Sequence, residues 1–478
     1  MSAAAALSPA PARSFDRKLI TPLVLGAILN PVNSSMLAVA LVPIAATFHA
    51  RPAETAWLVS GLYLATATGQ PVAGRLVDRY GARTLYLAGA ALVGIAGLIG
   101  TFASSLGMLV AARVLLGFGT CAGYPAAMYL IRRSGVAKPG GVLTALSVSA
   151  QTVVVIGPTV GGLLIGAAGW RTLFAVNIPL ALLCLVLGGL ILPRSAPAEN
   201  LGRLDYLGIG LFAGTLTTLM LFLLGPTVGH LWLLALCVVL AAGFARRELR
   251  LADPFLDLRV FGGNGPLIVT YLRTLLAMTI SYAYLYGFTQ WLEAGRGLSP
   301  SHAGLILLPM SLVAIAVSSI TGRRAEFRGK LLVGAVGQLL ACALILLLDS
   351  TSAIWIPVLI SLICGVPQGL NSLANQNAVY FQADPDRMGA AAGLLRTFAY
   401  LGAMVSSAAT GAFFDHGADT PGLHHLAVFL IVVASLLLLV VLADRSLRRL
   451  GTAPAGNLTF AKGPDSCRSP RSTPRPPS

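Results

Sequence analysis

Long apolar stretches recur along the 478-residue chain, and short polar segments separate them. A transmembrane helix needs about 20 mainly apolar residues to cross a hydrocarbon core of roughly 30 Å, because lipid offers the backbone no hydrogen-bond partners. The pattern predicts an all-α integral membrane protein with about 14 spans. The predicted spans are 19–47, 57–74, 84–103, 108–130, 142–166, 172–192, 204–223, 229–245, 267–290, 303–321, 331–349, 354–378, 393–413 and 424–443. The stretch 229–245 is short, so a count of about twelve or thirteen is the alternative.

Composition excludes an ordinary soluble domain. Hydrophobic residues make up 56% of the chain and charged residues 10%, whereas soluble domains carry about 25% charged residues. A net charge of +16 is also typical of nucleic-acid binding. Most Lys and Arg residues, however, fall in segments that lie inside if both termini are cytoplasmic, as the positive-inside rule requires. We therefore expect a multi-pass protein of the bacterial inner membrane whose partner is the lipid bilayer, with no nucleic acid.

The loop after the second span carries the sequence GRLVDRYGAR, from Gly74 to Arg83. Gly74 and Gly81 are expected to permit a tight turn and close approach of helices. Asp78 is expected to accept hydrogen bonds at a helix start, and Arg79 and Arg83 to hold the loop inside. The loop closely resembles the cytoplasmic signature loop of the major facilitator superfamily. A generic basic inner loop is the alternative.

Other segments resemble the same family in chain order. A weaker copy of the signature loop, with Glu326 as its acid, follows the tenth span. Arg113 lies in the fourth span, like the arginine of the family's fourth helix.

The fifth span resembles the exporter-associated motif, in which proline bends the helix and glycines let helices touch. Its residues here are Gly157, Pro158, Gly161 and Gly162. The run 170–179 and the two extra spans resemble the fourteen-span drug:proton antiporter branch.

This resemblance implies a major facilitator fold of two six-helix bundles plus two extra helices. The implied organisation is a cytoplasmic N-terminal segment (1–18), an N-terminal six-helix bundle (19–192), two additional helices (204–245), a cytoplasmic linker (246–266), a C-terminal six-helix bundle (267–443) and a disordered basic Pro/Ser-rich cytoplasmic tail (451–478).

The resemblance also implies a secondary active transporter that exports drugs or small amphipathic metabolites by alternating access, coupled to protons. It implies a monomer with a small-molecule substrate, no cofactor, and the proton gradient as the energy source. The alternative within transport is an importer or facilitator of a small organic metabolite, including an anionic one. A membrane sensor or enzyme is the alternative from other classes, but no catalytic or metal-ligating constellation supports it.

The acidic residues depart from the antiporter pattern. The branch has an Asp midway along the first span, whereas this chain has Asn33, which carries neither a proton nor a negative charge at neutral pH. Acids such as Asp205, Glu293 and Asp349 fall at or near the predicted span ends. No mid-membrane proton carrier is evident, so proton coupling is an expectation from the resemblance alone.

Substrate contacts are expected from polar and aromatic residues inside the spans. The candidates are Asn30, Asn33, Gln151, Arg273, Tyr282, Tyr286, Gln368, Asn371 and Asn375. If Arg113 and Arg273 line the cavity, their unmatched charge favours an anionic or zwitterionic substrate. The alternative for the neutral polar residues is hydrogen bonding between helices. For Arg273 the alternative is extension of the side chain to the membrane interface, and for Arg396 this extension is the expectation.

Overall fold

The computed structural model describes residues 17–133, 140–194, 205–251, 254, 256, 258–262, 264–321, 327–383, 388–415 and 417–447. Within these ranges every regular element is helical, and no strand occurs. The α-helices are α1 (Ile20–Ser35), α2 (Leu41–Phe48), α3 (Pro52–Tyr80), α4 (Ala82–Thr101), α5 (Leu106–Thr120), α6 (Gly123–Arg133), α7 (Gly140–Ala168), α8 (Thr172–Ala175), α9 (Asn177–Ile191), α10 (Tyr206–Leu224), α11 (Leu231–Arg250), α12 (Gly265–Ala283), α13 (Pro300–Thr321), α14 (Phe327–Ile345), α15 (Trp355–Gln382), α16 (Met388–Phe413) and α17 (Thr420–Ala443).

Helices cover all the predicted spans, and this confirms an all-α membrane protein. Eleven helical stretches of the described chain are long and apolar enough to cross a bilayer. Helices α3, α7 and α16 are not among these eleven, although they have 29, 29 and 26 residues respectively. Since those three helices overlap the predicted spans 57–74, 142–166 and 393–413, the count of fourteen crossings stays a prediction.

Several spans are interrupted helices. The first consists of α1, a 3-10 turn at Met36–Val39 and α2. The ninth continues from α12 through two π-helical turns, Tyr284–Phe288 and Trp291–Gly295. Such π-helical turns often occur at functional sites because they release backbone groups from the regular hydrogen-bond pattern. The interruptions therefore mark the first and ninth spans as places to look for a site.

The helices pack as two groups that meet along two seams. In the first group α4 packs on α5 and α9, α1 on α6 and α7, and α3 on α5. In the second group α12 packs on α16 and α17, α14 on α15 and α17, and α13 on α15. Contacts of α7 with α13 and of α3 with α16 form the seams. Helix α10 packs on α11 and also touches α3 and α16, so this pair covers one seam.

An ion pair joins the two covering helices at one end. The carboxylate of Asp205, immediately before α10, lies 2.8 Å from the guanidinium of Arg247 in α11. Burial raises the pKa of Asp205, but the hydrogen bonds from Arg247 and from the backbone N–H of Gly208 outweigh this effect and leave the pKa below its ordinary value. The pair therefore stabilises the fold at neutral pH, and its contribution is lost as pH falls through the lowered pKa.

Glycines set the spacing at the α7–α13 seam. A Cβ atom added to Gly162 would clash with the carbonyl oxygen of Pro300, and one added to Gly304 would lie 2.5 Å from that of Pro158. The other motif glycines face the broken first span: a Cβ at Gly157 would clash with the Ser35 Oγ atom. These contacts confirm that glycines of the fifth span let helices touch.

The structure agrees only in part with the roles expected for residues of the signature loop, 74–83. Gly81 has φ 87°, a left-handed conformation that favours glycine, and it ends α3 and precedes α4. Gly74 instead lies inside α3, and an added Cβ would meet no atom within 4 Å, so its expected role in close packing is wrong. Asp78 lies in the last turn of α3, not at a helix start. Arg83 donates hydrogen bonds to the carbonyls of Gly189 and Leu192 at the end of α9, a favourable place for a cation.

We predict that Gly162→Ala lowers the free energy of unfolding by about 1–3 kcal/mol, because the new methyl group meets a backbone carbonyl that has no room to move. Thermal unfolding of the purified protein measures the change. Gly189→Ala is the matched control, since a Cβ there meets nothing within 4 Å. Equal melting temperatures for the two variants would contradict the seam geometry.

Candidate substrate site between the two helix groups

The break in the first span frees backbone carbonyls at its centre. Pro31 lies inside α1, which ends at Ser35 and passes into the 3-10 turn. The freed carbonyls take partners from other helices. Arg113 of α5 donates to the Asn33 carbonyl at 2.8 Å, and the Tyr286 hydroxyl donates to the Ser34 carbonyl at 2.9 Å. The broken helix therefore connects a residue of the first group with a residue of the second.

Arg113 is a fully buried cation held by backbone carbonyls. Its Nε atom donates to the Leu58 carbonyl at 2.9 Å, in addition to the bond with Asn33. Its Nη2 atom has no hydrogen-bond partner among the described residues. The phenol groups of Tyr63 and Tyr286 interact with it electrostatically. A buried charge is costly unless it is paired, so this free N–H group is a potential anchor for a polar group near the tyrosines.

Asn33, at the position of the missing acid, pairs with Asn177 of α9. The two amides exchange hydrogen bonds of 2.7 and 2.9 Å, and Asn33 also donates to the Leu29 carbonyl at 2.9 Å. Its side chain is therefore saturated within the first helix group. Asn30 behaves similarly, since it donates to the hydroxyls of Thr66 and Thr120. For both residues the geometry favours hydrogen bonding between helices.

Four tyrosines form a cluster across the seam between α3 and the second group. The Tyr63 ring of α3 packs against Tyr282 at 5.2 Å and against Tyr400 of α16 at 5.6 Å. Tyr282 stacks on Tyr286 at 5.9 Å. The hydroxyls of Tyr63 and Tyr286 lie 3.2 Å apart. We call Tyr63, Tyr282, Tyr286 and Tyr400 the tyrosine cluster. Its rings offer flat apolar faces with polar edges.

A cation that we had expected to reach the interface lies beside this cluster instead. The guanidinium of Arg396 in α16 sits 4.2 Å from the ring centre of Tyr124 in α6, and it also interacts with Tyr400. The side chain remains solvent-accessible although it faces the opposite helix group. It therefore lines a space between the groups, and no described acidic residue pairs with it. The amide oxygen of Gln70 accepts a hydrogen bond from Tyr400 nearby.

Arg273 has the opposite environment, which corrects the expectation of an unmatched charge. Its guanidinium is fully buried in the second group, forms an ion pair with Asp444 and donates to the Thr270 hydroxyl at 2.6 Å. Asp444 follows α17 directly and lies beyond the last predicted span. Because Arg273 is neutralised and enclosed, it is not part of the space beside the tyrosine cluster.

The polar face of α15 also lies inside the second group. Asn371 donates to Gln338 of α14, which in turn donates to the Ala277 carbonyl. Asn375 is buried, and Gln368 lines a small cavity bordered by α12, α13, α14, α15 and α17. These residues therefore lie apart from the tyrosine cluster. The side chain of Gln151 and the whole of Glu326 lie outside the described residues.

Sequence reasoning missed Tyr63, Gln70, Tyr124, Arg396 and Tyr400. A signal existed for two pairs: Tyr63 and Gln70 are seven residues apart, and Arg396 and Tyr400 are four apart, so each pair shares one face of its helix. The sequence of a helix that is apolar on all sides does not show which face points inward. The packing of α3 on α16 settles the question.

Comparison with known proteins identifies the family. Residues 23–407 match the model of the Major Facilitator Superfamily. The chain belongs to this superfamily. It is 33% identical over 433 residues to the uncharacterized MFS-type transporter YwoD of Bacillus subtilis, a match that covers 88% of this chain and 96% of YwoD. It is 30% identical to the multidrug efflux pump LfrA of Mycolicibacterium smegmatis, over 84% of this chain and 82% of LfrA.

Two further similarities agree with this family. The tetracenomycin C resistance and export protein of Streptomyces glaucescens is 29% identical over 81% of this chain and 73% of its own length. The crystal structure of the nucleoside transporter NupG, solved as a point mutant, superposes with a TM-score of 0.63 at 13% identity and covers 90% of this chain and 99% of NupG. The superposition shows the shared fold. The protein is thus a major facilitator transporter of the membrane, not an enzyme.

We predict that Asn33→Ala and Asn177→Ala each destabilise the protein by about 1–3 kcal/mol, because each leaves the other amide buried without its partner. The double variant is expected to cost clearly less than the sum, since neither amide then remains unpaired. Thermal unfolding of the three variants measures this coupling. Strict additivity would show that the two amides do not depend on each other.

Proposed function

We propose that the protein is a proton-coupled exporter of drugs or small amphipathic metabolites that works by alternating access. The observation that carries the proposal is the tyrosine cluster with the accessible cation Arg396 at the seam between the helix groups. Residues of α3, α6, α12 and α16 contribute to it, so movement of one group against the other changes the site. A site shared between two repeated halves is what alternating access requires.

The chemistry of the site favours aromatic compounds that are neutral or carry a negative group. Tyrosine rings offer stacking surfaces, and their hydroxyls accept and donate hydrogen bonds. Arg396 offers a planar cation that binds carboxylate or phosphate groups with two hydrogen bonds and also stacks on rings. Among the described residues no carboxylate borders the cluster, so a lipophilic cation finds no counter-charge there. We infer a preference for amphipathic aromatic anions over lipophilic cations.

Contacts at the predicted outer ends of the helices support a cycle with an outward-closed state. Ser301 of α13 donates to the Gly162 carbonyl at 2.8 Å, and Ser407 of α16 donates to the Ala56 carbonyl at 2.9 Å. A Cβ atom on Gly411 would lie 3.1 Å from the Cα atom of Ala53. Both seams are thus closely packed at that end. Separation of these contacts would open the site to the predicted outer side.

The relatives support export as the direction of transport. A multidrug efflux pump and a tetracenomycin C resistance and export protein are about as similar to this chain as its other relatives. A lincomycin resistance protein of Streptomyces lincolnensis is 30% identical over 78% of this chain and 79% of its own length. Secondary transporters of this fold use ion gradients, so we propose the proton gradient as the energy source and no cofactor.

We predict that Arg396→Gln reduces transport of aromatic carboxylates by about tenfold or more, mainly through a higher KM. The loss corresponds to a hydrogen bond with a charged partner, which contributes about 1.5–3 kcal/mol. Transport is measured in sealed vesicles with an imposed pH gradient, using matched panels of aromatic carboxylates and lipophilic cations. Transport of the cations is expected to be unchanged or faster.

Arg171→Gln is the matched control, because this cation also stacks on an aromatic ring, Trp170, at 4.4 Å, but lies at the predicted outer end away from the cluster. It is expected to transport both panels like the wild type. Equal losses in the two variants would remove Arg396 from the site. Flux that follows the substrate gradient and ignores the pH gradient would instead identify a facilitator.

A further inference from the structure

The π-helical turn Trp291–Gly295 carries a buried carboxylate without a partner. Glu293 is 6% exposed, and both of its carboxylate oxygens lack a hydrogen-bond partner within the described part of the chain. Other buried carboxylates there have at least one partner: Asp444 pairs with Arg273, and one oxygen of Glu248 accepts a hydrogen bond from the Leu256 N–H group. An ionised carboxylate in such surroundings is strongly disfavoured, whereas a protonated one is neutral.

No charged or titratable group described on the neighbouring elements pairs with Glu293, although the Nη1 atom of Arg296 is itself buried without a hydrogen-bond partner. The turn packs against α13, α17 and the preceding π-helical turn. Arg296, three residues further along the chain, donates to the Ser352 carbonyl. The groups on the packed elements are His302 at the start of α13, Asp419, His424 and His425 at the start of α17, and Tyr284 and Tyr286 in the preceding turn. None of these described groups forms a hydrogen bond or ion pair with Glu293.

Glu293 lies where the predicted outer ends come together. The Trp291 indole donates to the Thr420 hydroxyl of α17 at 3.2 Å, and a Cβ atom on Gly295 would lie 2.6 Å from the Ala418 carbonyl. The start of α13, five residues beyond this turn, is the point at which Pro300 touches Gly162. The segment that encloses Glu293 thus continues directly into the closed α7–α13 seam.

The carboxylate is also connected to the substrate site through its own helix. Tyr282, Tyr286, Gln290 and Glu293 follow one another along one continuous helical segment that includes both π-helical turns. Glu293 therefore lies seven residues beyond Tyr286 toward the predicted outer side. Gln290, between them, is buried and donates to the Tyr286 carbonyl.

We propose that Glu293 is a proton-binding site that controls closure of the predicted outer side. A proton from the outer solution binds one carboxylate oxygen before the outer ends close, and it returns to that solution when they open. No other bond forms or breaks. Closure around an ionised Glu293 is disfavoured because an unpaired charge would be removed from water. A low pH of the outer solution therefore favours return of the empty transporter to the outward-closed state. This inference rests on the proposed export by alternating access.

The test measures downhill efflux of a transported aromatic carboxylate from vesicles that contain the full chain. The inner and outer pH are changed together, so no proton gradient contributes to the driving force. We expect wild-type efflux to fall as pH rises, by up to about tenfold per unit, because the protonated fraction falls tenfold per unit. Glu293→Gln, which resembles the protonated form, is expected to lose this dependence.

Glu54→Gln is the matched control, because Glu54 lies at the same predicted outer side, is exposed and pairs with Arg51. It is expected to keep the wild-type pH dependence. A Glu293→Gln variant with the wild-type dependence would overturn the inference. A separate measurement, uphill export driven by an imposed pH gradient in the wild type, tests proton coupling itself. Suppose that uphill export is absent, while Glu293→Gln still abolishes the pH dependence of downhill efflux. The proposed proton coupling is then wrong, and the role of Glu293 in closure is supported.

Infrared spectroscopy gives an independent readout that a packing role would not produce. In the wild type at neutral pH we expect the carbonyl band of a protonated carboxylic acid that disappears in Glu293→Gln. Glu293→Leu serves if the Gln variant fails to fold, since an apolar side chain suits a place without hydrogen-bond partners. It is expected to lose both the band and the pH dependence and to melt no lower than the wild type. Absence of the band in the wild type would overturn the proposal.

Discussion

The burial of Arg113 without a carboxylate is the constraint on which the centre of the molecule depends. A buried guanidinium must be met by oxygen atoms, and here backbone carbonyls supply them. One is the Leu58 carbonyl of α3, and the other is the Asn33 carbonyl, which is available because the first span changes from α1 to a 3-10 turn. The same break exposes the Ser34 carbonyl to Tyr286 of the other helix group. Gly157 and Gly161 of α7 fit against Ser35 and Met36, so the exporter-associated glycines let a broken helix pack as closely as a regular one.

Three arginines inside the spans have three different electrostatic environments. Arg113 binds carbonyls, Arg273 forms an ion pair with Asp444, and Arg396 rests on Tyr124 while remaining accessible. A neutralised pair attracts no ligand charge, and a cation enclosed by carbonyls offers only one free nitrogen. Arg396 therefore dominates the charge presented to a substrate, and the substrate preference follows from its position beside the tyrosine cluster.

The sequence was a good guide to the spans and the family because both depend on long-range averages of hydrophobicity and on turn chemistry. The positive φ of Gly81 and the close contacts of Gly157 and Gly162 agree with local rules for glycine. The rotation of each helix about its own axis could not be predicted from the sequence, because an apolar helix shows no preferred face. For that reason Arg273 was expected in the cavity and Arg396 at the interface. Glu293 was placed at a span end because the π-helical turns that extend the helix past residue 290 leave no sequence signal.

Movement between the helix groups is energetically feasible because few strong interactions cross the seams. The described crossing bonds mostly join a hydroxyl to a backbone carbonyl, as at Thr159 and Gly304, and each contributes only about 1 kcal/mol net. Glycine contacts add dispersion but no charge. Against this background the cost of burying one ionised carboxylate is as large as several crossing bonds together. A single protonation at Glu293 is therefore sufficient to decide whether the outer ends stay together, whereas ion pairs such as that of Arg273 lie within one group and do not change as the groups move.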